Sequence, residues 1–121
     1  MNPECMIANL TRLGDKPVII TENGLSCNDD RFRIVWIALY LSALHDAMEM
    51  GIDVKGYLYW SLLDNYEWGS FDPTFGLCAV NRETFERTIK PSAYFYKEII
   101  ENKGFSQKIL RKYLNEIPST K

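Results

Sequence analysis

Apolar residues at Met6, Ile7, Leu10 and Leu13 recur at steps of three and four, a spacing that predicts a short helix over Pro3 to Leu13, ended by Gly14-Asp15. The period then changes. Pro17-Val18-Ile19-Ile20-Thr21 is a continuous run rich in β-branched side chains, which predicts a strand buried on both faces, as in a parallel sheet. A turn-rich stretch from Asn23 to Asp30 leads into a long helical period at Ile34, Ile37, Ala38, Leu41, Leu44, Ala47 and Met48. Asp29 or Asp30 is suited to cap its start, and Gly51 to end it. Lys55 to Leu62 reads as a second strand, so one βαβ unit is legible.

A polar and aromatic loop follows to about Phe75. The segments Phe75 to Val80 and Phe85 to Ile89, joined around Asn81 to Glu83, then predict a short hairpin. Pro91 or Ser92 opens a helix that runs to about Asn102, with Gly104 as its stop. Beyond it, Ile109, Leu110, Tyr113, Leu114 and Ile117 form a weaker amphipathic pattern among Lys, Arg and Glu. Residues 104–121 are thus expected to form a polar, helical tail on a 1–103 body.

A chain of 121 residues, 46% hydrophobic and 25% charged, suits one globular domain. It has about half of the roughly 250 residues that a complete eight-unit β/α barrel needs. The net charge of −2 and the scattered Lys and Arg offer no basic face, so nucleic acid is not an expected partner. The longest apolar run, Ile34 to Leu41, is too short to span a membrane. Met1-Asn2-Pro3-Glu4 shows neither a basic region nor an apolar stretch of the secretory kind, and a cytoplasmic location is expected. Cys5, Cys27 and Cys78 match no paired redox or metal motif, so free thiols are expected, with no metal and no cofactor. His45, the one histidine, falls inside the long helical period and reads as a packing or surface residue.

Candidate chemistry gathers at the strand ends. Glu22 follows the first strand and precedes Asn23-Gly24, where the chain turns away. In a barrel of parallel strands the C-terminal strand ends face the active site, which gives a carboxylate there a use beyond solubility. After the second strand come Trp60, Asp64, Asn65, Tyr66, Glu67 and Trp68 within nine residues. Indoles beside carboxylates suit sugars, whose C–H faces pack on rings while their hydroxyls need polar partners. A packed aromatic core accounts for Tyr57 and Tyr59 but poorly for Asp64, Asn65 and Glu67.

These residues also carry a resemblance. The run from Pro17 to Gly24 resembles the nucleophile motif of the retaining β-glycosidases of glycoside hydrolase family 1, and Gly56 to Trp68 resembles their sugar-binding strand and loop. Arg33-Ile34, Gly51 to Gly56, Phe75-Gly76-Leu77 and Lys90-Pro91-Ser92 are similar to family sequence too, so the likeness covers about residues 3 to 100. It implies an α/β fold: about the last two β/α units, the C-terminal portion, of a (β/α)8 TIM barrel, incomplete as a barrel alone. It implies Glu22 as the nucleophile that forms a glycosyl-enzyme intermediate, stabilising an oxocarbenium-like transition state before bonding to it. By the same likeness Trp60 stacks on the sugar, Glu67 and Trp68 hold its outer hydroxyls, and Phe71 walls the pocket. A cis Trp60-Ser61 peptide bond is expected on the same ground.

The 6-phosphoglycosidases of the family resemble one another in replacing Trp68 with a small residue and adding a Lys-x-Tyr clamp, neither of which the loop after Glu67 shows. Non-phosphorylated β-glucosides or β-galactosides are therefore the implied substrates. The family's acid/base lies in a Thr-x-Asn-Glu-Pro motif upstream of the nucleophile, and no such motif precedes Glu22; Asn115-Glu116-Ile117-Pro118 is a chance echo. The loop Gly69 to Gly76 departs from the commoner family form by having no Arg before Phe75-Gly76. Two parallel strands cannot close a barrel, so a complementing N-terminal chain or self-association is expected, and hydrolysis by this chain alone is not. The competing reading is a non-catalytic remnant serving as a carbohydrate-binding or assembly module.

Overall fold

The computed structural model describes residues 2–116. Among them the elements run α1 (Glu4–Thr11), β1 (Val18–Asn23), α2 (Asp30–Glu49), β2 (Val54–Tyr59), β3 (Cys78–Val80), β4 (Arg87–Ile89), α3 (Pro91–Asn102) and α4 (Gln107–Glu116). β1 and β2 pair in parallel, with α2 as the crossover between them. β3 and β4 form the antiparallel hairpin that the pattern predicts, Ala79 opposite Thr88. No helix among the described residues is long and apolar enough to cross a membrane.

Local chemistry sets the helix ends. Asp29 caps α2, its carboxylate accepting the Arg31 amide at 3.0 Å, and the chain leaves α2 through Gly51 at φ +92°. Pro91 begins α3, where its missing N–H costs nothing. The apolar period of α2 becomes its buried face: Ile34, Ile37, Ala38, Leu44 and Ala47 are at most 5% exposed. Ile34, Ile37, Tyr59, Leu77, Phe95 and Ile99 make one core cluster. Leu10, Val18, Leu44 and Ala47 make a second between α1, α2 and the sheet.

Four expectations are corrected. β1 does not stop before Glu22; pairing continues through a register shift to Asn23, opposite Tyr59, so the carboxylate stands on the strand itself. β1 is covered on one face, not two: Val18 is buried on the helix side, while Ile19 is 58% exposed and Leu58 on β2 57%. Helices α1 and α2 lie on one side of the sheet, and no described element covers the other. β2 ends at Tyr59, because the Trp60 amide makes the last bond to β1, at Asn23, and the Ser61 amide then turns to the Phe75 carbonyl. Residues after 104 are also more than a polar tail. In α4 Tyr113 is buried against Phe95 at a ring separation of 5.5 Å, and its hydroxyl donates to Glu98 at 2.6 Å. Ile117, with the Ile117-Pro118 half of the Asn-Glu echo, lies outside the described residues; Asn115 and Glu116 end α4.

Candidate active site

The parallel β1–β2 pair brings Glu22 and Trp60 to the same end of the sheet, the C-terminal one. The Trp60 amide donates to the Asn23 carbonyl at 3.0 Å, which fixes the residue after Glu22 against the first residue after β2. Gly24 is needed at this approach: a Cβ there would lie 1.6 Å from the Trp60 carbonyl oxygen. Asn23 faces the helices, its amide oxygen accepting from the Trp36 indole at 2.8 Å and the Tyr57 hydroxyl at 2.9 Å. Glu22 itself is exposed.

Trp60 and Glu67 are joined directly. The Trp60 indole N–H donates to Glu67 Oε1 at 2.8 Å, and Glu67 is only 8% exposed although it sits in a loop. A buried carboxylate needs such a donor to offset its lost hydration. Glu67 and Ser70 exchange both backbone hydrogen bonds, at 2.8 and 3.0 Å, across a two-residue turn with Trp68 at φ +52° and Gly69 at φ +98°. Positive φ at both central residues marks the tight hairpin turn that glycine favours. It throws Trp68 outward, 98% exposed. Phe71 packs edge-on against Tyr66, ring centres 5.0 Å apart, with the Arg82 guanidinium 4.4 Å over its face. Of the five expected site residues, Trp60 and Glu67 are thus in contact, Glu22 stands at the neighbouring strand end, and Trp68 and Phe71 occupy the rim. The Trp60–Ser61 peptide bond is cis, as the resemblance implies.

Several residues that build this site escaped the sequence reading. Asp64, singled out but given no role, is buried and accepts the Gly76 amide at 2.7 Å and the Lys90 ammonium at 2.9 and 3.0 Å, binding the aromatic loop to the start of α3. Arg33, 1% exposed, reaches the Asp30 carboxylate and the carbonyls of Cys27 and Thr74. The Tyr59 hydroxyl accepts the Leu25 amide at 3.3 Å and donates to the Phe75 carbonyl at 3.1 Å. Burial holds the Tyr57, Tyr59 and Tyr96 hydroxyls above the ordinary phenol range and raises the Cys27 thiol. All three cysteines are free, and His45 is exposed on α2. Among the described residues no group of three or more His, Cys, Asp or Glu side chains is placed to hold a metal ion.

A parallel βαβ unit with a carboxylate and an indole at adjacent C-terminal strand ends has the arrangement of the active-site face of a β/α barrel. The family model for glycosyl hydrolase family 1 matches residues 5–105, and the chain belongs to that family. A β-glycosidase from Pyrococcus horikoshii superposes with a TM-score of 0.86 at 42% identity, over 96% of this chain and 28% of its own. Beta-glucosidase A of Acetivibrio thermocellus is 41% identical over 102 residues, 76% of this chain and 23% of that protein. A 6-phospho-beta-galactosidase of Staphylococcus epidermidis is 42% identical over 97 residues, 71% of this chain and 21% of that protein. The chain therefore spans between a fifth and three tenths of the length of these relatives.

Proposed function

We propose that this chain supplies the nucleophile side of a retaining β-glycosidase, with Glu22 attacking the anomeric carbon of a non-phosphorylated β-glucoside or β-galactoside. The observation that carries the reading is the Trp60–Glu67 hydrogen bond beside Glu22 at the C-terminal end of the sheet. Trp60 offers a ring face for the sugar, and Glu67 holds a second acceptor oxygen for its hydroxyls. Trp68 and Phe71 complete the rim. An exposed carboxylate suits a nucleophile because it is open to the anomeric carbon as the oxocarbenium-like transition state forms.

Leaving-group protonation requires a second carboxyl about 5 Å away, and no Thr-x-Asn-Glu-Pro segment precedes Glu22 to supply the one that the family resemblance implies. We propose that the remainder of the barrel provides it, docking along the free edges of β1 and β2, and that this chain does not hydrolyse ordinary glycosides unaided. The substrate distinction rests on Trp68: at this position the 6-phosphoglycosidases that the family resemblance brings in carry a small residue, and this chain carries an indole. A relative as similar as the staphylococcal one carries a 6-phospho name, so it is this residue, not overall identity, that supports the assignment.

The test is covalent labelling with a 2,4-dinitrophenyl 2-deoxy-2-fluoro-β-glucoside, whose leaving group departs without an acid. A glycosyl adduct on Glu22, absent from Glu22→Gln, is the expected result. No adduct, with sugar binding retained in Glu22→Gln, would mark the chain as a carbohydrate-binding module instead.

A further inference from the structure

Two loops leave the sheet at its C-terminal end, 24–29 after Glu22 and 69–76 after Trp68, and they are laced together by side chains outside the sugar-facing set. Thr74 contributes four times. Its hydroxyl donates to the Cys27 carbonyl at 2.9 Å, its amide donates to the Ser26 hydroxyl at 3.0 Å, and its carbonyl accepts from Arg33 and from the Cys27 amide, the latter at 3.5 Å. Arg33 Nη2 also donates to the Cys27 carbonyl at 3.0 Å, so one guanidinium grips both loops from beneath. The same Arg33 meets Asp30, whose carboxylate accepts the Ser92 amide at 2.6 Å and the Ser92 hydroxyl at 2.9 Å at the start of α3.

The lacing runs directly to both halves of the site. Upstream, Leu25 is bonded to Tyr59 and Asn23 to Trp60; downstream, Phe75 is bonded to Ser61 at 3.4 Å, and Gly76 to Asp64. Thr74 is thus two residues from the loop's anchor beneath Glu67, and Cys27 four residues from the end of the strand that carries Glu22. Neither touches the sugar-facing side chains. A fixed separation of nucleophile and glycone contacts is what covalent glycosylation demands, since misplacement by about an ångström costs orders of magnitude in rate.

We infer that Thr74, seated on Arg33, is a positioning residue that sets the distance between Glu22 and the Trp60–Glu67 pair. The inference rests on the reading of Glu22 as nucleophile, but its geometry is separable from that chemistry. Thr74→Val removes the hydroxyl and keeps the shape, while leaving the Cys27 carbonyl its bond from Arg33. Thr74→Ser keeps the hydroxyl. Removing one neutral hydrogen bond favours loop opening by about 5-fold, or ~1 kcal/mol.

Amide hydrogen exchange and the indole N–H resonance of Trp60 are measured by NMR on the full chain and both variants. In Thr74→Val, amides of both loops exchange about 5-fold faster and the Trp60 indole resonance shifts, α2 amides are unchanged, and Thr74→Ser behaves as the parent chain. Faster exchange confined to 69–76, or an unmoved Trp60 indole, would overturn the inference. The labelling reaction separates the two ideas. Where the parent chain is labelled at Glu22, Thr74→Val lowers the maximal labelling rate about 5-fold with little change in the concentration for half-maximal rate, and an unchanged rate would overturn the inference. Where the parent chain is not labelled, the nucleophile reading fails for this chain and the Trp60 resonance alone decides the positioning role.

Discussion

Replacing Gly24 by alanine perturbs the site through space alone. The added Cβ would stand 1.6 Å from the Trp60 carbonyl oxygen and 2.7 Å from its carbonyl carbon, both main-chain atoms that no rotamer change can move. Restoring ordinary contact requires the two segments to part by roughly 2 Å. Such a parting breaks the 3.0 Å bond from Trp60 to Asn23, and with it the Leu25–Tyr59 and Tyr57–Asn23 bonds at 3.3 and 2.9 Å. At about 1 kcal/mol each, the loss is about 3 kcal/mol. Gly51 is the matched contrast: its φ is +92°, but a Cβ there meets nothing within 4 Å, so alanine costs only the left-handed backbone penalty of about 1–2 kcal/mol. Urea unfolding followed by circular dichroism measures both. Gly24→Ala is expected to lose at least 1 kcal/mol more than Gly51→Ala, with a thermal midpoint lower by about 10 °C than the parent. Equal losses for the two variants would show that the Gly24–Trp60 approach is not a constraint.

Three further outcomes follow from the packing and charge of the chain. Phe95 is fully buried and meets Phe105 and Tyr113 at 5.6 and 5.5 Å, so Phe95→Ala is expected to cost about 3–5 kcal/mol and to speed amide exchange in α4; slow exchange in α4 after the substitution would refute its docking through this cluster. Tyr57, Tyr59 and Tyr96 are held above the ordinary phenol range chiefly by burial. The folded state therefore keeps protons that the unfolded state has lost above about pH 10, so this part of the stability is complete below pH 10 and declines above it. Tyrosinate absorbance should show late ionisation accompanied by unfolding, and all seven tyrosines titrating near pH 10 in a folded chain would contradict the burial. Trp68, 98% exposed, should dominate iodide quenching, so Trp68→Phe removes the largest share of the quenchable emission and leaves a smaller share from Trp60, 36% exposed, and the half-buried Trp36; undiminished quenching would mean that Trp68 is not out in solvent.

How far the sequence reaches depends on the range of each signal. The α2 face at Ile34, Ile37 and Leu44, the cap at Asp29, the hairpin around Asn81 and the start of α3 at Pro91 are legible because neighbours within a few residues decide them. The run through Ile20 reads as a doubly buried strand because a parallel interior is apolar on both faces, yet the partner for Ile19 is not in this chain and that side chain is exposed. Asn23 joins β1 only because Tyr59 stands opposite, 36 residues away in sequence. Thr74, Arg33 and the Asp64–Lys90 pair act over separations of 26 to 47 residues through polar atoms that have no periodicity to read. Tyr113 is legible as part of an amphipathic pattern, but its partner is not: the lysines and arginine around it make α4 read as a polar tail, although that ring seals Phe95.

The uneven burial of the sheet bears on what a piece of a barrel can retain. Everything that orders β1 against β2 is supplied from the helix side, by α1, α2 and α3, and by the loop lacing at the C-terminal end. Parallel pairing fixes the rise of one strand against the next, and the Thr74 lacing holds the loops that follow Glu22 and Trp68, so the offset of Glu22 from the Trp60–Glu67 pair is set within a single βαβ unit and its loops and needs no other strand. A carboxyl on a distant strand has no such link; its separation from Glu22 depends on barrel closure, which depends on every strand and its tilt. The nucleophile geometry that we propose is thus locally encoded, whereas acid catalysis is a property of the closed barrel. An aryl fluoroglycoside that needs no acid should therefore distinguish this chain from a misfolded one, and an alkyl glycoside should not.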